Sequence, residues 1–407
     1  MLSIDVMYKV ICKLLGAVSL NASPGEAECC QGGDDWEAFT AQDWREMVEL
    51  AAREGVAPLL YRGCQQGNWA DFPEEARTKL VERYYGTSAQ NAMLLDELQR
   101  VVKALNVAGI RVLVIKGADL AQTLYPEVGL RPMADLDLLI PKQSFEQARA
   151  VVEQGLGYMQ EEKEAVGDIK GVVGYHVDLK GGTGGLIDLE LHWTLVTSEE
   201  SWYAVPAAWF WEQSQPFVEI GGTAGEARRL TNEANLLYLS AHAVLQHGVR
   251  QSLLIWLYDL HALVTKYGQE IDWEWLMEEA MRLGWAPALI RGLRESRERF
   301  GTRLPEAVAA TMHEEGEGRV GRLVDFMAEF PGARLLYDWD TLMALRWPER
   351  VRYAAALVFP SGAYLRWRYQ PRPVWLWPIY YPYRWGRMAL DVCQVALNGL
   401  RRRWLGR

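Results

Sequence analysis

Strand-forming sequence is confined to one block of this chain. Arg111 to Ile115 reads RVLVI, a β-branched run of the kind found in buried strands. Ala134 to Ile140 reads ADLDLLI and is stopped by Pro141. Tyr175 to Lys180 and Leu186 to Trp193 are two more runs. Gly-Gly-Thr-Gly-Gly separates them, which is a hairpin signal. Short helices are expected between the runs. Ala118 to Leu124 is closed by Tyr125-Pro126, and Phe145 to Gln154 is capped by Ser144 and released by Gly155 and Gly157. On both sides of this block, apolar residues recur at helical spacing. Trp44, Met47, Val48, Leu50 and Ala51 form one stripe, and Leu94, Leu98, Val101, Val102 and Leu105 another. Glu75 to Tyr85 and Ser88 to Ala108 read as two successive helices, with Gly109 just past the second. The chain is therefore expected to be α+β, a small mixed-sheet core between helical regions. The boundaries predicted are an N-terminal helical region 1–108, an α/β core 109–222 and a C-terminal helical region 223–407. There is no internal repeat.

Charge narrows the partners. The net charge of −10 is uneven. Ser361 to Arg407 holds nine arginines, no lysine and one acid, Asp391, so the preceding 360 residues carry −18. An acidic body argues against broad nucleic-acid binding, which needs cations to neutralise phosphates. The basic tail is rich in Trp (Trp367, Trp375, Trp377, Trp385, Trp404). It is expected to pack on the acidic body, with an anionic lipid surface or a polyanion as the alternative. Five scattered cysteines, without a C-x-x-C pair, give neither a disulfide framework nor a zinc ribbon. Cys29-Cys30 reads as a loop. A reducing, cytoplasmic setting without disulfides is expected. Met1 to Ala22 reads as an amphipathic helix packed on the body, because Lys9 and Lys13 interrupt its apolar run. No segment is expected to span a membrane.

The chemistry concentrates in the strands. Side chains alternate across a strand, so Asp135 and Asp137 share one face while Leu136, Leu138 and Ile140 share the other. Two carboxylates about 7 Å apart repel unless a positive charge sits between them, and a divalent cation supplies one. In Ile187 to Trp193, Asp188, Glu190 and His192 likewise share a face. Asp188 or Glu190 thus offers a third carboxylate. Three carboxylates on neighbouring strands suit Mg²⁺, or Mn²⁺, in a two-metal site for phosphoryl displacement. Lys116-Gly117 lies between the first strand and its helix. The glycine would let backbone N–H groups approach phosphates, and Lys116 adds a charge. Arg131 is expected to reach the same phosphates as a fork.

These residues resemble a family. The strand–Gly–helix–strand arrangement with Asp-x-Asp resembles the polymerase-β-like nucleotidyltransferase superfamily. The string VIKGADLAQTLYPEVGLRPMADLDLLI looks like the bacterial uncharacterised nucleotidyltransferase family. REGVAPLLYRG, LELHWTL, SAHAVLQHG and LYDLHALV look like further family segments, so the resemblance runs from about Trp44 to Arg368. It implies a polymerase-β-like core and a metal-dependent transfer of a nucleoside monophosphate from an NTP, with ATP the expected donor, releasing pyrophosphate. Asp135 and Asp137 would bind metal, with Glu190 as the third carboxylate and Asp188 as the alternative. The superfamily usually has Ser after its glycine. Here Ala118 follows, so Lys116 and backbone N–H groups would have to replace the hydroxyl. The missing hydroxyl supports a second reading, a catalytically inactive nucleotide-binding or regulatory protein of the same fold, and a toxin-like enzyme modifying RNA or protein is a third. The acidic body favours a small-molecule or peptide acceptor.

Three histidines need a reading of their own. His192 shares the carboxylate face and reads as a satisfied structural histidine, with a substrate or phosphate contact as the alternative. His242 and His247 are five apart. On a regular helix that puts them about 140° apart, which suits helix–helix hydrogen bonding rather than a metal pair. The alternative is that His247 or Asp259 closes the nucleotide cleft.

Overall fold

The computed structural model describes residues 3–20, 39–66, 72–160, 174–199, 201–218, 226–248, 252–311 and 345–390, with 321, 342, 343 and 393 as isolated positions. Cys29-Cys30 and the end of the tail, including Trp404, lie outside them.

Among the described residues, four helices come first: α1 (Ile4–Gly16), α2 (Ala41–Arg53), α3 (Ala57–Gln66) and α4 (Glu74–Val107). The helix expected at the N-terminus is α1, and it buries Met7, Ile11, Leu14 and Leu15. Thr40 and Asp43 form a reciprocal capping box at the start of α2. The two helices expected between 75 and 108 are one. Gly86 does not break α4, because helical hydrogen bonds on both sides outweigh the roughly 1 kcal/mol that an interior glycine costs.

Then come β1 (Val112–Ile115), α5 (Gly117–Thr123), β2 (Asp135–Leu139), α6 (Phe145–Leu156), β3 (Met159–Gln160), β4 (His176–Gly181) and β5 (Ile187–His192). Ser144 ends a 3₁₀ turn before α6 and gives it no side-chain cap. Next are α7 (Ala207–Glu212), β6 (Ser214–Pro216), β7 (Ala227–Leu230) and α8 (Asn232–Ala241). The helices α9 (Leu254–Tyr267), α10 (Trp273–Arg282), α11 (Ala286–Phe300) and α12 (Glu306–Thr311) follow. The tail holds α13 (Trp347–Val358), α14 (Gly362–Tyr369) and a 3₁₀ segment, Val374–Ile379.

Seven described strands form one mixed sheet in the order β3-β4-β5-β2-β1-β7-β6. β2 runs parallel to β5 and antiparallel to β1, and β1 runs parallel to β7. β7 lies beyond residue 222, so the sheet extends past the core boundary read from the sequence.

The period-2 pattern splits the sheet cleanly. One face carries Val112, Val114, Leu136, Leu138, Leu189 and Leu191 against Leu98, Val101 and Leu105 of α4 and Val152 of α6. Each such side chain, fully buried, contributes about 1.5–3 kcal/mol. On the other face, Leu113, Ile115 and Leu139 join the core of the C-terminal helices, with Leu236 and Leu257. The polar residues of β2, β4 and β5 lie on this second face. One turn is fixed by close packing. At Gly182, φ is +67° and a Cβ would come within 2.5 Å of Glu97 Oε1, so only glycine fits this hairpin.

Candidate active site

Strand register builds the site. Across β2 and β5, Asp135 lies opposite Asp188, Asp137 opposite Glu190 and Leu139 opposite His192. Across β5 and β4, Asp188 meets Lys180, Glu190 meets Asp178 and His192 meets His176. Alternation puts all of these side chains on one face. Four carboxylates therefore flank Glu190 within three adjacent strands: Asp135, Asp137, Asp178 and Asp188. A cleft of about 100 Å³ is lined by Asp135, Asp178, Asp188 and Glu190.

Lys116 reaches into this group from the end of β1. Its Nζ donates to Asp137 Oδ1 at 2.7 Å and lies 3.7 Å from Glu190 Oε2. Its backbone is in a sparsely populated region, φ 53° and ψ −126°. Strain of this kind persists only where the surroundings fix it, and it gathers at functional sites. Burial opposes the lysine's charge, yet Asp137 chiefly, with Tyr238 and Glu190, raises its pKa well above the ordinary value.

His192 is the second cationic partner. Its Nε2 sits 2.9 Å from Asp137 Oδ1 and 3.2 Å from Glu190 Oε2. Burial disfavours its protonation, but these two hydrogen bonds outweigh burial and raise its pKa. Burial likewise works against ionisation of Glu190, and the His192 hydrogen bond and the Lys116 charge hold its carboxyl below the usual range. Asp135 goes the other way. Burial and the negative charge of Asp137 push it up to about 7. A carboxyl pushed up by its neighbours' negative charge marks a site short of positive charge, which is the condition that a divalent cation relieves.

Arg131 is not where the sequence placed it. Its Nε and Nη2 donate to Asp259 Oδ1 and Oδ2 at 3.2 and 2.9 Å, and its Nη1 donates to Pro132 O at 3.1 Å. Tyr125 O–H donates to the same Asp259 Oδ1 at 2.7 Å. The guanidinium is buried, with its fork filled, so it ties the entrance of β2 to α9 and has no fork left for phosphate. Asp259 is equally committed and does not close a cleft. Gly117 has a corresponding packing reason. A Cβ there would come within 2.9 Å of Arg131 Nη1 and 3.1 Å of Met133 Cγ.

The histidines of the helical region also depart from expectation. After α8 the chain makes a π-turn, His242–Gln246, and the wider turn undoes the 140° separation. The His242 and His247 rings stand 4.7 Å apart, edge to face, and both pack on Trp256. His242 Nδ1 bonds Gln246 Oε1 at 2.8 Å, and Gln246 Nε2 donates to Tyr175 O–H at 2.9 Å. Burial and the Lys116 charge hold His247 down to about 4. Tyr238 of α8 faces the same group and is raised by burial, with Asp137 and Glu190 adding to it.

Thus Lys116, Asp135, Asp137, Glu190 and Asp188 converge, and Arg131 does not join them. His176 and Asp178 were missed. Their signal was available, because His-Val-Asp-Leu-Lys alternates in the first strand of a hairpin whose second strand reads Asp-Leu-Glu-Leu-His.

The model of a family described as "Uncharacterised nucleotidyltransferase" matches residues 40–301. This chain belongs to the uncharacterised nucleotidyltransferase family. It is accordingly an enzyme that transfers nucleotidyl groups. The part of the chain shared with this nucleotidyltransferase family runs from the cap of α2 through α11, so it contains the whole sheet and every residue of the carboxylate face. The tail lies beyond it. No curated protein matches the chain. Among the described residues, no helix is long and apolar enough to cross a membrane, and Cys12 and Cys393 are in no disulfide.

Proposed function

We propose that this nucleotidyltransferase moves a nucleoside monophosphate from an NTP, with ATP as the donor, to a small-molecule or peptide acceptor, releasing pyrophosphate. The observation that carries this reading is the convergence of Asp135, Asp137 and Glu190 on one sheet face around the ammonium of Lys116. Asp135, Asp137 and Glu190 would hold Mg²⁺, or Mn²⁺. The ion supplies charge neutralisation and alignment for in-line displacement at the α-phosphorus.

The donor set fits such an ion. It is oxygen-rich, crowded with negative charge and bridged in this structure by Lys116 and His192. Glu190 is favoured over Asp188 as the third ligand because it shares both cationic partners with Asp137. Asp188 faces Asp135 across the strands and lies 3.7 Å from Lys180. Lys116 then has two positions, on Asp137 as seen here or on the phosphates once the carboxylates hold an ion. Its charge takes the place of the hydroxyl lost at Ala118. The seven-residue α5 begins at Gly117, and the packing of Gly117 on Arg131 fixes the Lys116 turn. Arg131 acts as a positioning residue through Asp259.

The test replaces Asp135 and Asp137 with Ala and follows label from α-labelled NTP into acceptors of a cell extract. Loss of transfer with an unchanged fold is expected, and retained transfer refutes the reading. Calorimetry with Mg-ATP adds a second check, since binding that ignores the metal contradicts it.

We propose as well a cytoplasmic setting and an anionic membrane surface as the tail's contact. Residues 345–390 hold eight arginines and one acid, Glu349. Trp347 and Trp375 are 73% and 72% exposed, and Phe359, Val374 and Ile379 are exposed beside them. Exposed aromatics interleaved with arginine suit a lipid headgroup layer. That much exposure also speaks against close packing on the acidic body.

A further inference from the structure

We propose that His176, Glu190 and His192 form a second cation site, one that takes a transition ion of the Zn²⁺ type rather than Mg²⁺. Each of the three offers one ligand atom, and these atoms lie within 4.8 Å of one another. Two imidazoles and one carboxylate are a donor set that binds Zn²⁺ and leaves a fourth position open. Bonds of about 2.1 Å put tetrahedral ligand atoms about 3.4 Å apart, so small side-chain rotations close this trio on an ion. Mg²⁺ prefers six oxygens, whereas imidazole nitrogen shifts preference toward Co²⁺, Ni²⁺, Cu²⁺ and Zn²⁺.

The sheet pre-forms the trio. His176 lies opposite His192 across β4 and β5, and Glu190 is the next residue along the same face of β5. The two rings stand 5.0 Å apart at 30°. Tyr175 lies over His192, with ring centroids 6.0 Å apart and planes at 25°, and Gln246 holds its hydroxyl.

The rings already face the carboxylates. His192 Nε2 lies 2.9 Å from Asp137 and 3.2 Å from Glu190, and His176 Nε2 lies 3.6 Å from Asp178. An ion on the trio would take the place of the proton between His192 Nε2 and Glu190. In both rings Nδ1 is buried and has no hydrogen-bond partner, so it is the atom left for an outer contact. Glu190 belongs to both donor sets, and the proposal rests on the carboxylate-site reading at that residue alone.

Chelator-stripped full-length protein is titrated with Co²⁺ and followed by visible absorption. One Co²⁺ per chain is expected, with the intense bands of a four-coordinate site, and excess Mg²⁺ should not displace it. His176→Gln and His192→Gln should each weaken Co²⁺ binding by at least about 10-fold, since even outer-shell changes cost that much. Wild-type protein loaded with Cu²⁺ gives a readout that needs no variant, because electron-spin-echo modulation should show imidazole nitrogen. A pale six-coordinate Co²⁺ spectrum, displacement by Mg²⁺, absent nitrogen modulation, or unchanged binding in His176→Gln overturns the site. Asp135→Asn separates the two readings: it should abolish nucleotidyl transfer and leave the Co²⁺ spectrum unchanged. If transfer is lost and the Co²⁺ site fails, only this inference falls. If transfer survives Asp135→Asn, the carboxylate reading falls.

Discussion

At the scale of single residues, Lys116 enters the carboxylate group and Arg131 does not. An arginine four residues before an Asp pair has the right reach for phosphate, and its sequence context is no different from that of a phosphate ligand. What decides against it is Asp259, 128 residues away in the chain. No local pattern reveals such a partner. Removing either member leaves the other buried and unpaired, which costs about 3–5 kcal/mol. Arg131→Gln and Asp259→Asn should therefore each lower stability by that order in urea unfolding. Their effects should be strongly non-additive in the double variant. If Arg131→Gln instead leaves stability unchanged and raises the KM for NTP, it is a phosphate contact after all. Lys116→Met should lower transfer by about 10²- to 10³-fold, the range for losing one group that stabilises developing charge. Comparable rates in Lys116→Met and wild type would remove Lys116 from the mechanism.

At the scale of elements, the strands were legible and the helices partly so. Asp135-Leu136-Asp137 and Glu190-Leu191-His192 each report their facing through alternation alone, and the structure keeps both facings. The pairing that joins them is parallel, through a crossover containing α6, β3 and β4. Sequence pattern does not state which strands neighbour, so the register that sets Asp188 opposite Asp135 and Glu190 opposite Asp137 was not legible in it. The π-turn at His242 is similar. It changes the angular step of the chain without any Gly or Pro to mark it. In the long α4, Gly86 lies between the two helices expected, and the helix runs through it. A Cβ there meets nothing within 4 Å, so Gly86→Ala should stabilise the protein by about 0.4–1 kcal/mol. A destabilising result would mean that the helix is interrupted there. His261 of α9 gives a pH signature. Burial lowers its pKa to about 4, below the ordinary histidine value of about 6.5. Its contribution is thus present above pH ~6.5 and is lost as pH falls through about 4. The acid-side slope of stability should flatten in His261→Asn, and an unchanged slope would show that this ring is solvated.

At the scale of the whole molecule, charge is divided by task. Part of the acidic excess is gathered on one sheet face, where an ion and a triphosphate would meet it. The rest belongs to the body outside that face. The tail reverses the sign within one segment, and its exposed tryptophans sit among its arginines. Vesicles containing phosphatidylserine should therefore sediment the protein in a salt-sensitive way, whereas neutral vesicles should not. Trp347→Ser with Trp375→Ser should weaken that binding and leave nucleotidyl transfer in solution intact. Equal recovery on neutral and anionic vesicles would contradict an electrostatic contact. The proposed transfer depends on the carboxylate face. Its most direct test incubates the protein with Mg²⁺, each α-labelled NTP and a cell extract, beside the Asp135→Ala/Asp137→Ala variant whose fold is verified by circular dichroism. Pyrophosphate release and a labelled acceptor are expected for the wild type alone, both abolished by EDTA. Label transfer by the double variant at the wild-type rate would contradict that dependence.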